Sequence, residues 1–580
     1  MANMIISAEN QIKDLIKTAY DKLVDQGKFV QNDELDILVE IPNDSINGDF
    51  ASSFAMTAAR FLHKAPRVIA EAVVNMVDLT GSYFAKVEAA GPGFINFYVS
   101  EKWYADVLKE IVENGEQYGA NENGKGQKVM VEFVSANPTG PLHLGNARGG
   151  VLGDTLANIL KKNGYDAYKE FYVNDAGNQV NKFAISINAR YMQLIMGEEN
   201  FEFPEEGYHG DDIRELAQAV YDEYGEKLTE YSEEERLRIL GEYGLKINIP
   251  LMKSDLERYR IFYDKWFLES TLHESGYVAE TVDKLAERGL TYEKDGALWL
   301  NTTQLLIEKY EREGKTPEQI ERLNLKDDVL RRANGFYTYF AADIAYHRNK
   351  FEVRKFDKVI NIWGADHYGH VARLQSALDG LGLDGSNRLI IVLMHLVTLV
   401  KSGEPVRMSK RSGKVIALRN LLDEISVDAA RYFFNSRSAS SAIDFDLDLA
   451  VKTDSDNPVY YIQYAYARIC SLVNNVCAED NVDFSKANTA LLESETEINL
   501  IKCLSRYPEV MALSALEYDP SHINRYLLEV AGEFHRFYTA NRIKNEPTEV
   551  RNARLKLVEC TRIVLKNGMT ILGLNLPERM

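Results

Sequence analysis

The sequence predicts a multidomain α/β protein. A Rossmann-like domain is split by a mostly helical insertion, preceded by an α+β domain and followed by an all-α bundle. Three observations predict it. Strand-type runs alternate with helix-period runs over residues 128–185 and again over 329–420. The stretch between them is charged and helical in pattern. Beyond about residue 455 the apolar positions keep helical spacing. A chain of 580 residues holds roughly three to four domains. The expected boundaries are 1–115, 116–190, 191–325, 326–454 and 455–580, with 116–190 and 326–454 as the two halves of the split fold.

In the first domain, helical stretches interleave with short strand-like runs, LDILVEI and GFINFYV. Its start, MANMIISAENQIKDLIKTAYDKL, spreads charges through an amphipathic helix pattern and does not resemble a secretory signal. The polar, glycine-rich run ENGEQYGANENGKGQK reads as a linker. KVMVEFV then reads as a strand and residues 147–162 as a helix with Leu152, Leu156, Ile159 and Leu160 on one face. Asn163-Gly164 stops that helix, and AYKEFYV is the next strand, which completes a βαβ unit.

The insertion carries solvated acidic runs, EEGYHGDDIRELAQ and SEEERLRILGEYG. Tyr208-His209-Gly210-Asp211-Asp212 within it reads as a turn or helix start, not a metal site. In the second half, FDKVINIW is a strand ending just before Gly364, followed by a helix through Leu378. RLIIVLMH is a buried strand, and LVTLVKSGEPVRM is a hairpin turning near Ser402-Gly403. A parallel sheet of this kind takes ligands at the carboxyl ends of its strands. In the last domain, Val459, Ile462, Tyr466, Ile469, Val473 and Val476 follow the 3–4 spacing of a bundle. Late cations, Arg551, Arg554, Lys556, Arg562 and Lys566, fit a solvated helix surface.

Composition narrows the functional class. With 45% hydrophobic and 27% charged residues, the chain has a soluble globular balance. A net charge of -20 argues against indiscriminate nucleic-acid binding but leaves room for a local basic surface. Cys470, Cys477, Cys503 and Cys560 form no C-x-x-C pair and have no histidines nearby, so buried free thiols in a reducing cytoplasm are expected and no protein-bound zinc. The most apolar run, LIIVLMHLVTLV, is broken by His395 and Thr398 and falls short of the ~20 residues a span needs, so no membrane association is expected.

Two motifs carry chemistry. In ANPTGPLHLGNARGG, His143 sits between a strand and a helix start. An imidazole N–H and the free backbone N–H groups of a helix N-terminus together suit phosphate oxygens. Gly145 lacks a Cβ, so a flat ligand can lie against the backbone. Far downstream, Arg407-Met408-Ser409-Lys410-Arg411-Ser412-Gly413-Lys414 places four cations in eight residues with serines and a glycine. That composition suits a mobile loop that closes on departing phosphate. G-x-x-x-x-G-K-[ST] does not occur, and no G-x-G-x-x-G directly follows a strand-type run, which disfavours P-loop and dinucleotide-binding readings. Asn174-Asp175-Ala176-Gly177-Asn178-Gln179 follows a strand at the sheet's carboxyl edge and either contacts ligand, with Asp175 as the candidate, or forms a turn.

The runs VEFVSANPTGPLHLGNARGG, GFYTYFAADIAYH, WGADHYGHVARL and the terminal LPERM resemble arginyl-tRNA synthetases of the bacterial type, within the class I aminoacyl-tRNA synthetases. GDFASSFAM and YIQYAYARICSL extend the resemblance over essentially the whole chain, in order. It implies a class I catalytic domain and a C-terminal anticodon-binding bundle. It also implies arginine contacts at Glu132, Ser135 and Asn137, and guanidinium recognition by Tyr339 and Asp343. His367 falls at a substrate position where relatives often carry glutamine. His143, Asn146 and Lys410 are implied as catalytic, with ATP contacts at Pro138, His143, Gly145, Asn146, Arg407, Met408, Ser409 and Lys410. Asn146 departs from the usual G-H ending of the first signature, and Arg407 replaces the usual first lysine of the second.

The residues agree with that resemblance. A guanidinium is planar and offers five donors, which a carboxylate accepts as a fork. Tyr339 lies one helical turn before Asp343, so both can share a face. A site that bonds the whole group rejects lysine, ornithine and citrulline, and the insertion has no editing-domain size, so no editing activity is expected. The implied partners are L-arginine, ATP with Mg²⁺ as a substrate complex, and tRNA(Arg), bound by a cytoplasmic monomer. The resemblance further implies that tRNA must bind before adenylation, that the N-terminal domain touches the tRNA elbow and that the C-terminal domain reads the anticodon. Aromatics and cations in residues 460–468 and 526–542 either stack on bases or pack the bundle. The competing readings are another class I ligase and a noncatalytic tRNA-binding relative. A cysteine-specific ligase wants a zinc site, a glutamate-specific one a cationic pocket where Asp343 lies. A noncatalytic relative predicts loss of His143 or Lys410, and both are present.

Overall fold

The computed structural model describes residues 3–32, 34–406, 416–480 and 487–580. At its centre a five-stranded sheet runs in the order Leu389–Met394, Lys358–Gly364, Lys128–Glu132, Asp166–Val173, Lys265–Leu268. Every neighbouring pair is parallel. The chain starts in the middle strand, moves outward on one side, and returns after the insertion to build the other side. The reversal falls between Lys128–Glu132 and Lys358–Gly364, and a crevice opens outside the carboxyl ends at such a switch point.

The helix Leu144–Lys162 crosses from the middle strand to its neighbour. Val151, Leu152, Leu156, Ile159 and Leu160 bury its apolar face. Gly153 admits the ring of Phe133, since a Cβ there would lie 2.1 Å from Phe133 Cγ. Asn163 caps the helix end, as the Asn-Gly pair predicts. Asp154, midway along, is buried between Lys169 and Arg431 at 2.5 Å each. Arg431 also donates to the carbonyl of Leu572 at 2.7 Å, which ties the last helix of the chain to the helix Leu144–Lys162.

The N-terminal domain is α+β as expected: a four-stranded antiparallel sheet under the helices Met4–Asp25, Phe54–Leu62, Pro66–Val74 and Glu101–Asn114. The run read as a linker is instead ordered against the bundle. Its Tyr118 is buried, stacks on Tyr507 with centroids 6.0 Å apart, and donates to the carbonyl of Leu504 at 3.1 Å. A polar composition hid one aromatic anchor. The insertion is helical in the main, with Asn178–Met196, Asp211–Tyr224 and Glu233–Arg258 around a core of its own. It also supplies the edge strand Lys265–Leu268 and the hairpin Thr291–Lys294/Ala297–Leu300. The hairpin turns at Asp295-Gly296, both at positive φ, a turn signal present in the sequence.

RLIIVLMH forms the expected strand, but it is half-buried because it lies at the sheet's edge. The hairpin after it turns at Ser402 and Gly403, both at positive φ. The helices Pro458–Asp480, Glu495–Ser505, Tyr507–Leu516, Ser521–Ala540 and Thr548–Leu572 form the C-terminal bundle. Val459, Ile462, Tyr466 and Ile469 are buried in it, and so are the free thiols of Cys470, Cys503 and Cys560. The side chains of Val476 and Cys477 lie outside the described residues.

Candidate active site

A cavity of about 570 Å³ occupies the crevice at the switch point. Four carboxylates line it: Glu132 at the end of the middle strand, Glu269 just past the edge strand, Asp343 on the helix Tyr339–Arg348, and Asp366 after Gly364. Tyr172, Asn174, Tyr339, Trp363, His367, His370 and Arg373 complete most of the wall. Acidic groups converging from separate elements around a partly apolar hollow suit a cationic ligand.

Tyr339 and Asp343 share one face of their helix, as their spacing predicts. Thr338 starts that helix by accepting from the backbone N–H of Ala341 at 3.3 Å. The Tyr339 hydroxyl accepts from the backbone N–H of Asn178 at 3.2 Å. Gly177, at φ 79°, leaves room for that contact, because a Cβ would sit 3.2 Å from the hydroxyl. Burial raises the Asp343 carboxyl, but His347 and His370 outweigh it and hold the group well below the usual carboxylate range. His370 Nε2 is 2.6 Å from Oδ2, and His347 Nδ1 is 3.0 Å from Oδ1.

Glu132 is buried and accepts from Ser135 Oγ at 2.9 Å and from Lys350 Nζ. The chain turns sharply after the strand: Val134 and Ser135 take φ of 71° and 43°. Positive φ is costly for a β-branched residue, and this strain sits beside the cavity. The turn carries Ser135 Oγ back to Glu132 and lets it accept from the backbone N–H of Tyr172 at 3.2 Å.

The first signature loop follows. His143 caps the helix Leu144–Lys162, its Nδ1 accepting from the backbone N–H of Gly145 at 3.2 Å. That bond leaves the ring proton on Nε2, the donor expected of a phosphate-binding imidazole. Asn146 Oδ1 accepts from the His143 backbone N–H at 3.0 Å, so the residue that departs from the usual signature closes a capping box. Asn137 is exposed, while Pro138 is buried and its carbonyl accepts from Asn248 at 3.0 Å; both lie on the loop between the cavity and His143 and neither lines the cavity.

The second signature, Arg407, Met408, Ser409 and Lys410 included, lies outside the described residues. Its flanks are informative. The hairpin ends at Val406, and two residues past the gap Ala417 pairs with His143 in an antiparallel bridge. Leu418 N–H donates to the carbonyl of Leu142 at 2.7 Å. The segment after the basic run is thus anchored to the first signature.

Of the two readings of this run, Asp175 takes the structural one, not the ligand contact. Its carboxylate accepts from the backbone N–H and hydroxyl of Ser270, at 2.9 and 2.7 Å, and it does not line the cavity. The neighbouring Asn174 does, with Glu269 as a partner. His367 lines the rim and is largely exposed. Sequence reading missed Glu269, His370, Trp363, Arg373 and Lys350. The W-G-A-D-H-Y-G-H run held a signal for two of them. Glu269 sits in a run with no motif, and a lysine just past a helix end reads as surface.

Fold and site together define a class I aminoacyl-tRNA synthetase. Residues 107–444 match the family described as tRNA synthetases class I (R), catalytic domain. Residues 10–99 match the arginyl tRNA synthetase N terminal domain, and residues 462–580 the DALR anticodon binding domain. An arginine–tRNA ligase of Acetivibrio thermocellus is 48% identical over all of both chains, and one of Caldanaerobacter subterraneus is 46% identical, also over all of both. The arginyl-tRNA synthetase structure of Thermus thermophilus, 20% identical, shares the fold with a TM-score of 0.72 over 98% of this chain and 100% of its own. The chain belongs to the arginyl-tRNA synthetase family.

Proposed function

We infer that the chain ligates L-arginine to tRNA(Arg) at the expense of ATP. One observation carries the reading: the Tyr339–Asp343 face opens on a cavity whose wall, among the described residues, holds four carboxylates, one arginine and no lysine. A cationic side chain is drawn in, and an acidic amino acid is repelled. Tyr339, Asp343 and Glu269 receive the guanidinium, whose donors match carboxylates in a fork. Glu132 and Ser135 hold the opposite end of the substrate.

In the first step an oxygen of the arginine carboxylate attacks the α-phosphorus of ATP. A new P–O bond forms, the bond to the pyrophosphate oxygen breaks, and arginyl-adenylate results. ATP enters as its Mg²⁺ complex; among the described residues no cluster of metal-ligating side chains is present. His143 and the N–H groups at the start of its helix stabilise the phosphate charge, and Lys410 neutralises the leaving pyrophosphate. In the second step the 2′-hydroxyl of the terminal adenosine of tRNA attacks the activated carbonyl, and AMP leaves. No covalent enzyme intermediate is required, so alignment and charge stabilisation dominate.

The bundle supports the tRNA reading. Tyr460, Tyr464 and His535 form a stacked ladder with centroids 6.3 and 5.9 Å apart, and Arg468 lies over Tyr464 and Tyr538. Such ladders receive unpaired bases. No described helix is long and apolar enough to cross a membrane.

ATP–pyrophosphate exchange with each amino acid, with and without tRNA, tests the reading. Arginine alone among the amino acids supports exchange, and only when tRNA is added. Exchange driven by another amino acid, or none with arginine and tRNA, would refute it.

A further inference from the structure

The strands beneath the cavity bury an unusual row of polar groups. In the parallel register Glu132 stands opposite Asn361 on one side and Glu170 on the other, and all three are buried. Two carboxylates side by side out of water are unfavourable unless cations share the site. The helix Tyr339–Arg348 supplies them by continuing into one π-helical turn, Asn349–Val353. Lys350 Nζ pairs with Glu132, and just beyond the turn Arg354 Nη1 pairs with Glu170.

Lys350 is fully buried, and its Nζ lies 4.0 Å from the centroid of the Tyr346 ring. The same Nζ is 3.3 Å from Asn361 Oδ1 and 3.4 Å from His347 Nε2. Asn361 Nδ2 approaches that Nε2 too, at 2.8 Å. Two N–H groups converge on Nε2, so it accepts and the ring proton resides on Nδ1. Nδ1 is 2.8 Å from the Asp343 carbonyl oxygen and 3.0 Å from its Oδ1. A continuous chain therefore runs Ser135, Glu132, Lys350, His347, Asp343, from one end of the cavity to the other.

We propose that Lys350 and His347 are positioning residues, the buried ammonium locking His347 as the neutral Nδ1–H tautomer so that Glu132 and Asp343 are held in one hydrogen-bonded frame matched to arginine. Neither residue lines the cavity. They act through the two carboxylates that do. The inference rests on the arginine reading of the cavity. The other titratable or charged groups around the pair are Glu170, Arg354, Tyr172, Tyr263 and Tyr346. Burial pulls the Lys350 ammonium down, and the Glu132 and Glu170 carboxylates oppose it.

Steady-state aminoacylation of the full chain tests the frame. Lys350→Met raises the KM for arginine at least about tenfold while the KM for ATP stays within about twofold, because the loss falls on one substrate. Lys350→Arg keeps the charge and recovers part of the loss. A Lys350→Met protein that melts like the wild type and keeps its arginine KM would overturn the proposal. Should that variant not fold, the wild type decides. Nitrogen-15 histidine spectra, with His347 assigned through His347→Asn, show a protonated Nδ1 and a bare Nε2 at neutral pH; an imidazolium or an Nε2–H ring overturns the frame. Absence of arginine-dependent exchange in the wild type would remove the functional reading and leave the tautomer result standing.

Discussion

Asp343 Oδ2 lies 2.6 Å from His370 Nε2, across the gap between two helices that share no turn of sequence. The contact holds an acceptor ready at the cavity wall, with a quarter of the Asp343 side chain still open. Asp343→Ala is expected to weaken arginine use by at least ~2 kcal/mol, the scale for removing a buried charge partner. Unchanged kcat/KM for arginine would remove Asp343 from the site.

The same residue makes a pH prediction. Hydrogen bonds from His347 and His370 depress the carboxyl against the effect of burial, so it contributes above its unfolded value and fails only as pH falls through its lower folded value. The ratio of arginine KM between Asp343→Asn and wild type therefore stays constant from pH 8 to about 5. A ratio that collapses within that window would place the titration of Asp343 inside it.

Glu269 brings a second carboxylate to the cavity from the edge strand, with its side chain almost wholly buried. Glu269→Gln keeps the shape and removes the charge. The arginine KM should rise about tenfold, the loss of one charge-assisted hydrogen bond. The KM for ATP should not follow, and a parallel rise in both would mean a folding defect.

Lys410 is expected to act only after closure of its loop. Lys410→Ala should lower turnover chiefly, as an interaction made in the transition state requires. Rapid-quench measurement of adenylate formation checks it, and a rise in the KM for ATP with turnover intact contradicts it.

Glu509, on the bundle helix Tyr507–Leu516, is pushed up to about 7 by burial, with Glu9 of the first helix adding repulsion and Arg506 opposing. Its folded value exceeds the unfolded one, so the native state binds the extra proton between about pH 4.5 and 7 and loses stability as pH rises through that window. Glu509→Gln should stabilise the protein at pH 8 by on the order of 1–2 kcal/mol, after allowance for its partial exposure, and hardly at pH 4.5. Denaturant melts at both pH values decide it.

How much of this was legible beforehand varies by residue. Tyr339 and Asp343 were readable because a helix puts positions four apart on one face, a rule that holds before any packing. The strand–loop–helix around His143 was readable because turn and cap chemistry is local. Asp175 shows the limit. Two neighbours at a strand end are equal candidates in sequence, and only the position of Ser270 decides that Asp175 caps a helix while Asn174 faces the cavity. Lys350 was invisible, because a buried lysine and a surface lysine look alike until a carboxylate is found beside one.

The sequence by itself determined the order of elements, the two signatures and the helical face that bears Asp343, because periodicity and capping depend on residues a few positions apart. Tertiary structure alone decided the strand order that opens the crevice, the convergence of Glu132, Glu269 and Asp343 on it, and the pairing of Lys350 with Glu132 beneath it. Those residues lie far apart along the chain, and a local pattern carries no record of which distant group will share a sheet edge or neutralise a buried charge.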